Sequence, residues 1–99
     1  MSFVITYPDK LAAAADQLQT IGATFAAGNA AASAPTTSVV PASADEVSLY
    51  TAAQFAVHAQ RYQELSAQAT RIHQLLVATL ASGADAYATT EAANAAAAG

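Results

Sequence analysis

The 99 residues contain no cysteine and no tryptophan, and only three basic side chains, Lys10, Arg61 and Arg71. Without thiols there is neither a disulfide nor a thiolate metal site. The compartment stays open, because reducing and exported settings both tolerate the absence. Seven acids against three bases give a formal charge of −4. That excludes nucleic acid as a partner, since binding it depends on Lys and Arg neutralising phosphates. Anionic membrane surfaces are disfavoured on the same ground. Glycine and proline are scarce, at four and three residues, so few helix breakers are present. No stretch is apolar for the roughly 18 residues that a membrane span needs. The opening MSFVITYPDK has no basic start and a short apolar run, so it does not read as a cleavable signal peptide.

What the chain does have is alanine. Apolar residues make up 55% of it, and many of these are Ala, the best helix former. The composition reads as one all-α domain whose buried volume is modest.

The first helix is expected over about residues 8–31. Pro8 suits the first helical turn, where its missing N–H has no partner to lose. Thr6 followed by Asp9 resembles a capping box, and the Asp9 charge favours the positive end of the helix dipole. Leu11, Ala14, Leu18, Ile21, Phe25 and Gly28 then recur at spacings of three and four, one apolar helix face. The run SAPTTSVVPAS, residues 33–43, reads as a loop, with Val39 and Val40 expected to fold back over the helix ends. Ser43 and Glu46 form a second capping-box pattern, starting a helix over about 44–82. Its stripe runs Thr51, Phe55, His58, Tyr62, Leu65, Ala69, Ile72 and Leu76, and Leu80, Gly83 and Tyr87 continue it. That spacing is coiled-coil-like.

At 1.5 Å per residue the helices measure about 36 Å and about 58 Å, so an antiparallel hairpin leaves an overhang of about 20 Å on the second. Residues 3–5 lie at that end and are expected to pack on Leu76 and Leu80. Long apolar side chains also stand off the stripes, at Val47, Leu49, Val57, Leu75 and Val77. Exposed apolar patches beyond a few hundred Å² mark interfaces. A hairpin this greasy is expected to complete a four-helix bundle with helices from a partner, over an obligate interface of about 2,000 Å² or more. Leu11, Leu18, Ile21 and Phe25, with Phe55, His58, Tyr62, Leu65, Ile72, Leu76 and Leu80, make up the seam and partner interface. The pattern does not say which of them face the hairpin's own helix.

Chemistry is sparse. His58 and His73 are 15 residues apart, without the i, i+4 histidine pattern of a helical metal site. His58 falls on the seam, where a hydrogen-bonded structural role is expected. Asp9, Asp45 and Glu46 read as helix-start groups, and Glu64 beside Arg61 as a solvated pair of little worth. No phosphate loop and no nucleophile elbow is present. The chain reads as non-enzymatic, with no cofactor and no small-molecule substrate. Tyr87 and Glu91 sit four residues apart in an alanine-rich tail. On pattern alone, Tyr87 packs on a partner and Glu91 is a solvated charge; the other reading is a short epitope projecting from one helix face.

The stretches MSFVITYPD, APTTSVVPASADEVS, HAQRYQELSAQA and GADAYATTEAANA together resemble the mycobacterial PE family over nearly the whole chain. The family is named for a Pro-Glu pair near its N-terminus; here the pair is Pro8-Asp9, which keeps a proline and an acid in the first turn. The resemblance implies a heterodimer with a PPE protein, forming a four-helix bundle. It implies export of the folded pair by a type VII (ESX) secretion system to the medium, cell surface or envelope. It also implies a Tyr-x-x-x-Asp/Glu export signal at Tyr87 and Glu91, and an EspG-type chaperone that binds mainly the PPE partner. On this reading residues 1–83 are the PE hairpin and 84–99 a signal-bearing tail without a long C-terminal extension. The alternative is a structural homodimer or a cell-envelope-associated helical protein.

Overall fold

The computed structural model describes residues 4–99. Among them there are two helices and no strand: α1, Pro8–Thr37, and α2, Glu46–Ala98. They pair as an antiparallel hairpin. The chain divides into two compact units, one of residues up to Gly22 with His73–Gly99, the other Ala23–Ile72. Each contains a segment of α1 against a segment of α2.

Both helix starts differ in detail from the capping boxes expected. The Tyr7 carbonyl accepts hydrogen bonds from the Lys10 and Leu11 amides at 3.1 and 3.2 Å. Tyr7 is therefore the cap residue and Pro8 the first helical position, where proline costs nothing. Thr6 Oγ1 is buried without a hydrogen-bond partner among the described residues, so no Thr6–Asp9 box forms. Asp9 still places its acid in the first turn, and the Lys10 ammonium lies 4.6 Å from the Tyr7 ring centroid. At α2 the cap is Asp45, not Ser43. Asp45 Oδ1 accepts from the Ser48 amide at 2.9 Å, and Oδ2 accepts from the Ser48 hydroxyl at 2.8 Å. The Ser48 amide, then the Ser48 and Ser43 hydroxyls, hold the Asp45 carboxyl below its ordinary range.

Both helices outrun their expected ends. Pro35 lies inside the last turns of α1, where it removes a single backbone bond. The Thr36 and Thr37 hydroxyls donate to the carbonyls of Ala32 and Ser33 at 2.6 and 2.7 Å, which occupies acceptors near that end. At the other break, α2 passes through Gly83. A glycine in a helix interior costs about 1 kcal/mol relative to alanine, and the alanine-rich sequence beyond it favours continuation. Val40 is 84% exposed and Val39 36%, so Val40 does not fold back over the helix ends. Val4 and Ile5 are exposed rather than packed on Leu76 and Leu80; Phe3 lies outside the described residues.

Among the described residues the buried ones are all alanine: Ala15 and Ala84 in one unit, Ala52 and Ala59 in the other. The half-buried positions around them are mostly small or polar, among them Gly22, Asn29, Ser66, Thr70 and His73. Ala15, Gly22 and Asn29 recur every seven residues on α1, as do Ala52, Ala59, Ser66, His73 and Leu80 on α2. The spacing is that of a coiled-coil seam, filled with side chains that carry little apolar area.

Candidate functional site

Because alanine lines the inside, the large side chains stand outside. On α2, Phe55 is 60% exposed, Leu65 64% and Ile72 69%. Tyr62 and Leu76 are also exposed, as are Ile21 and Phe25 of α1. Leu11, Leu18 and Leu80 are half-buried. On α1 the inward positions lie one residue on from the face traced by large residues: Ala15, Gly22 and Asn29 in place of Ala14, Ile21 and Gly28. Ile21 and Phe25 therefore lie to one side of the α1 seam. Phe55, Tyr62 and Leu65 lie to one side of the α2 seam. In the second unit, where right-handed segments of α1 and α2 run antiparallel, Phe25, Phe55, Tyr62 and Leu65 thus lie on the same side. Each such side chain would contribute about 1.5–3 kcal/mol on full removal from water.

Beneath this face in the second unit, Asn29 of α1 meets three residues of α2. Its Nδ2 donates to Ser66 Oγ. Its Oδ1 accepts from the Tyr62 hydroxyl at 2.9 Å, and its carbonyl accepts from Gln63 Nε2 at 3.0 Å. In the first unit, His73 Nε2 donates to the Leu18 carbonyl at 2.6 Å. A Cβ built on Gly22 would lie 2.6 Å from His73 Cδ2 and 2.7 Å from Nε2. The hydrogen-bonded histidine is thus His73, while His58, the one expected in that role, is exposed. The polar residues at Asn29, Gln63 and Ser66 carried no large-residue periodicity; only their seven-residue alignment with alanines could have revealed them.

The two remaining candidate residues lie in the first unit. Stepping back along α1 from Leu18 and Gly22 while stepping forward along α2 from His73 brings Pro8 level with residues 83–87. From Asp85 onward every residue is exposed, Glu91 included. Tyr87 is 49% exposed and stands at the next seven-residue step after Leu80, where α1 is just beginning. Both residues are within α2, so a helical turn separates them and they share a face.

Among the described residues, no group of three or more His, Asp or Glu is placed to hold a metal ion. No helix among them is long and apolar enough to cross a membrane.

A model of the PE family matches residues 4–94. The chain belongs to the PE family. It is 67% identical over 98 residues to PE family protein PE13 of Mycobacterium tuberculosis H37Rv, covering 99% of each. It is 55% identical over 96 residues to PE-PGRS family protein PE_PGRS33 of M. tuberculosis, covering 97% of this chain and 20% of that protein. With PE family protein PE8 of the same species, identity is 51% over 98 residues, 99% of this chain and 36% of the relative. The chain thus spans about a fifth and about a third of those two longer PE proteins. The PE match takes in α1, α2 as far as residue 94, and the residue pairs Pro8-Asp9 and Tyr87/Glu91.

Proposed function

We propose that this PE chain is a non-enzymatic secreted protein. It forms an obligate heterodimer with a PPE protein and leaves the cell as a folded pair through a type VII (ESX) secretion system. The observation that carries the reading is the inversion of the hairpin: alanine inside, and Ile21, Phe25, Phe55, Leu65, Ile72 and Leu76 exposed along its helices. The four alanines buried among the described residues supply little hydrophobic stabilisation. The exposed residues would supply much more once two partner helices cover them as a four-helix bundle. The PPE protein is the partner because the chain belongs to the family that pairs with it.

In this reading residues 1–83 are the hairpin that is bound. Residues 84–99 are the handle, with Tyr87 and Glu91 presented by the exposed helix to the secretion machinery. An EspG-type chaperone engages the pair mainly through the PPE protein. The pair folds in the cytoplasm and ends outside the cell or in its envelope. The test is purification of the full chain with and without a co-expressed PPE protein. A 1:1 complex that forms only on co-expression is expected. A compact, cooperatively unfolding monomer would overturn the proposal, and a stable homodimer would replace it with a self-associating protein.

A further inference from the structure

The buried seam poses a physical problem that its hydrogen bonds address. Alanine at Ala52 and Ala59 presents a nearly featureless surface. One alanine fits another's place, so sliding α1 along α2 by a heptad, about 10 Å, changes the alanine packing little. Large interdigitating side chains normally penalise such slips, and in the second unit Phe25, Phe55, Tyr62 and Leu65 are exposed. In the second unit, by contrast, the bonds of Asn29 to Tyr62, Gln63 and Ser66 are specific to one alignment. A slip breaks all three; the bonds to Ser66 and Gln63 are part-buried, and leaving their groups without partners is costly.

We infer that Asn29 is the register key of this hairpin, a positioning residue whose purpose is to align the outward apolar face and not to add stability. A single seam asparagine that fixes alignment at some expense of stability is a known device of coiled coils. The alignment matters to the outer face. Four residues back from Asn29 is Phe25, and four forward from Tyr62, Gln63 and Ser66 are residues 66–70. Phe25 is therefore level with Ala69, the one small residue between Leu65 and Ile72 on the outer stripe. The phenyl ring supplies bulk where α2 has none. A slip of one heptad towards the start of α2 would set Phe25 level with residues 59–63, beside Tyr62, and leave a gap at Ala69. What the partner must recognise would then be a different surface. The inference rests on the proposed pairing for its purpose, but its test reads the register within this chain alone.

The chain has no native cysteine, so Ala27→Cys and Gln54→Cys, both exposed, accept a pair of spin labels cleanly. Their separation in the assembly in which the full chain purifies, measured by pulsed dipolar spectroscopy, reads the register directly. Wild type is expected to give one narrow distance. Asn29→Leu is expected to keep its helix content and thermal midpoint, or raise the latter, yet show a second population displaced along the axis by about 10 Å. The combined variant Tyr62→Phe with Ser66→Ala is expected to add a second population too; it decides the matter should Asn29→Leu lose its helicity. An unchanged single distance in the deciding variant overturns the inference, as does a wild-type chain that already shows several distances. Failure of the PPE pairing appears separately, as the absence of a co-purified complex.

Discussion

The imidazole of His73 occupies the space that a side chain at Gly22 would need. A Cβ there would lie 2.6 Å from Cδ2 and 2.7 Å from Nε2, inside any allowed contact, while Nε2 is fixed 2.6 Å from the Leu18 carbonyl. Gly22→Ala therefore displaces the ring and loses that hydrogen bond, worth about 1 kcal/mol. The overpacking costs about 1–3 kcal/mol, against a helix-propensity gain of about 1 kcal/mol. A lower thermal midpoint is expected for the assembly in which the full chain purifies. In a His73→Ala background the same substitution is expected to be neutral or stabilising; equal loss in both backgrounds would show that the two residues are not coupled. Gly28 gives the contrast, because nothing lies within 4 Å of its built Cβ.

The Asp45 cap carries a pH dependence. Its folded-state carboxyl titrates below the ordinary range because the Ser48 amide bonds the charged form. Its contribution to stability is accordingly complete above the unfolded-state value and lost as pH falls through the lowered folded one. Amide exchange at Ser48 and Leu49 is expected to quicken across that acidic window. Asp45→Asn, an equally good cap, removes this pH dependence, and Asp45→Ala speeds exchange at neutral pH as well. If Asp45→Asn leaves the pH profile unchanged, the carboxylate is not the group responsible.

The two sides of α2 predict opposite phenotypes. Leu65→Asp and Ile72→Asp alter side chains exposed in the hairpin, so the chain's own helix content is expected to survive. In the proposed complex each would bury an unpaired charge, which costs several kcal/mol, and co-purification with a PPE protein is expected to fail. Ala59→Leu acts on the inside, where Ala59 is 7% exposed, and is expected to open the hairpin itself. Circular dichroism with pull-down separates the outcomes. A stable complex with Ile72→Asp would place the interface elsewhere.

Tyr87→Ala and Glu91→Ala change exposed residues beyond the buried alanine at position 84. On the proposed export route, both variants are expected to leave the proposed PPE complex assembled in the cytoplasm and to stop its appearance outside the cell. Fractionation and blotting of both proteins give the readout. Normal export of both variants would defeat the signal assignment.

The sequence by itself determined the all-helical class, the two-helix division, the start at Pro8 and the surplus of large apolar side chains. Helix propensity, turn chemistry and spacings of three and four are local quantities, readable without knowing what lies opposite. Tertiary structure alone decided which face turns inward. Large side chains at Ile21, Phe25 and Phe55 give the strongest periodicity, yet the close pairing of two helices favours Ala15, Gly22, Ala52 and Ala59. A Cβ or less admits the near approach that lets Asn29 and His73 reach across. The helix ends were likewise settled only in three dimensions. Thr36 and Thr37 hydroxyls occupied carbonyls beside Pro35, and a single glycine at position 83 cost α2 less than the alanines after it could restore.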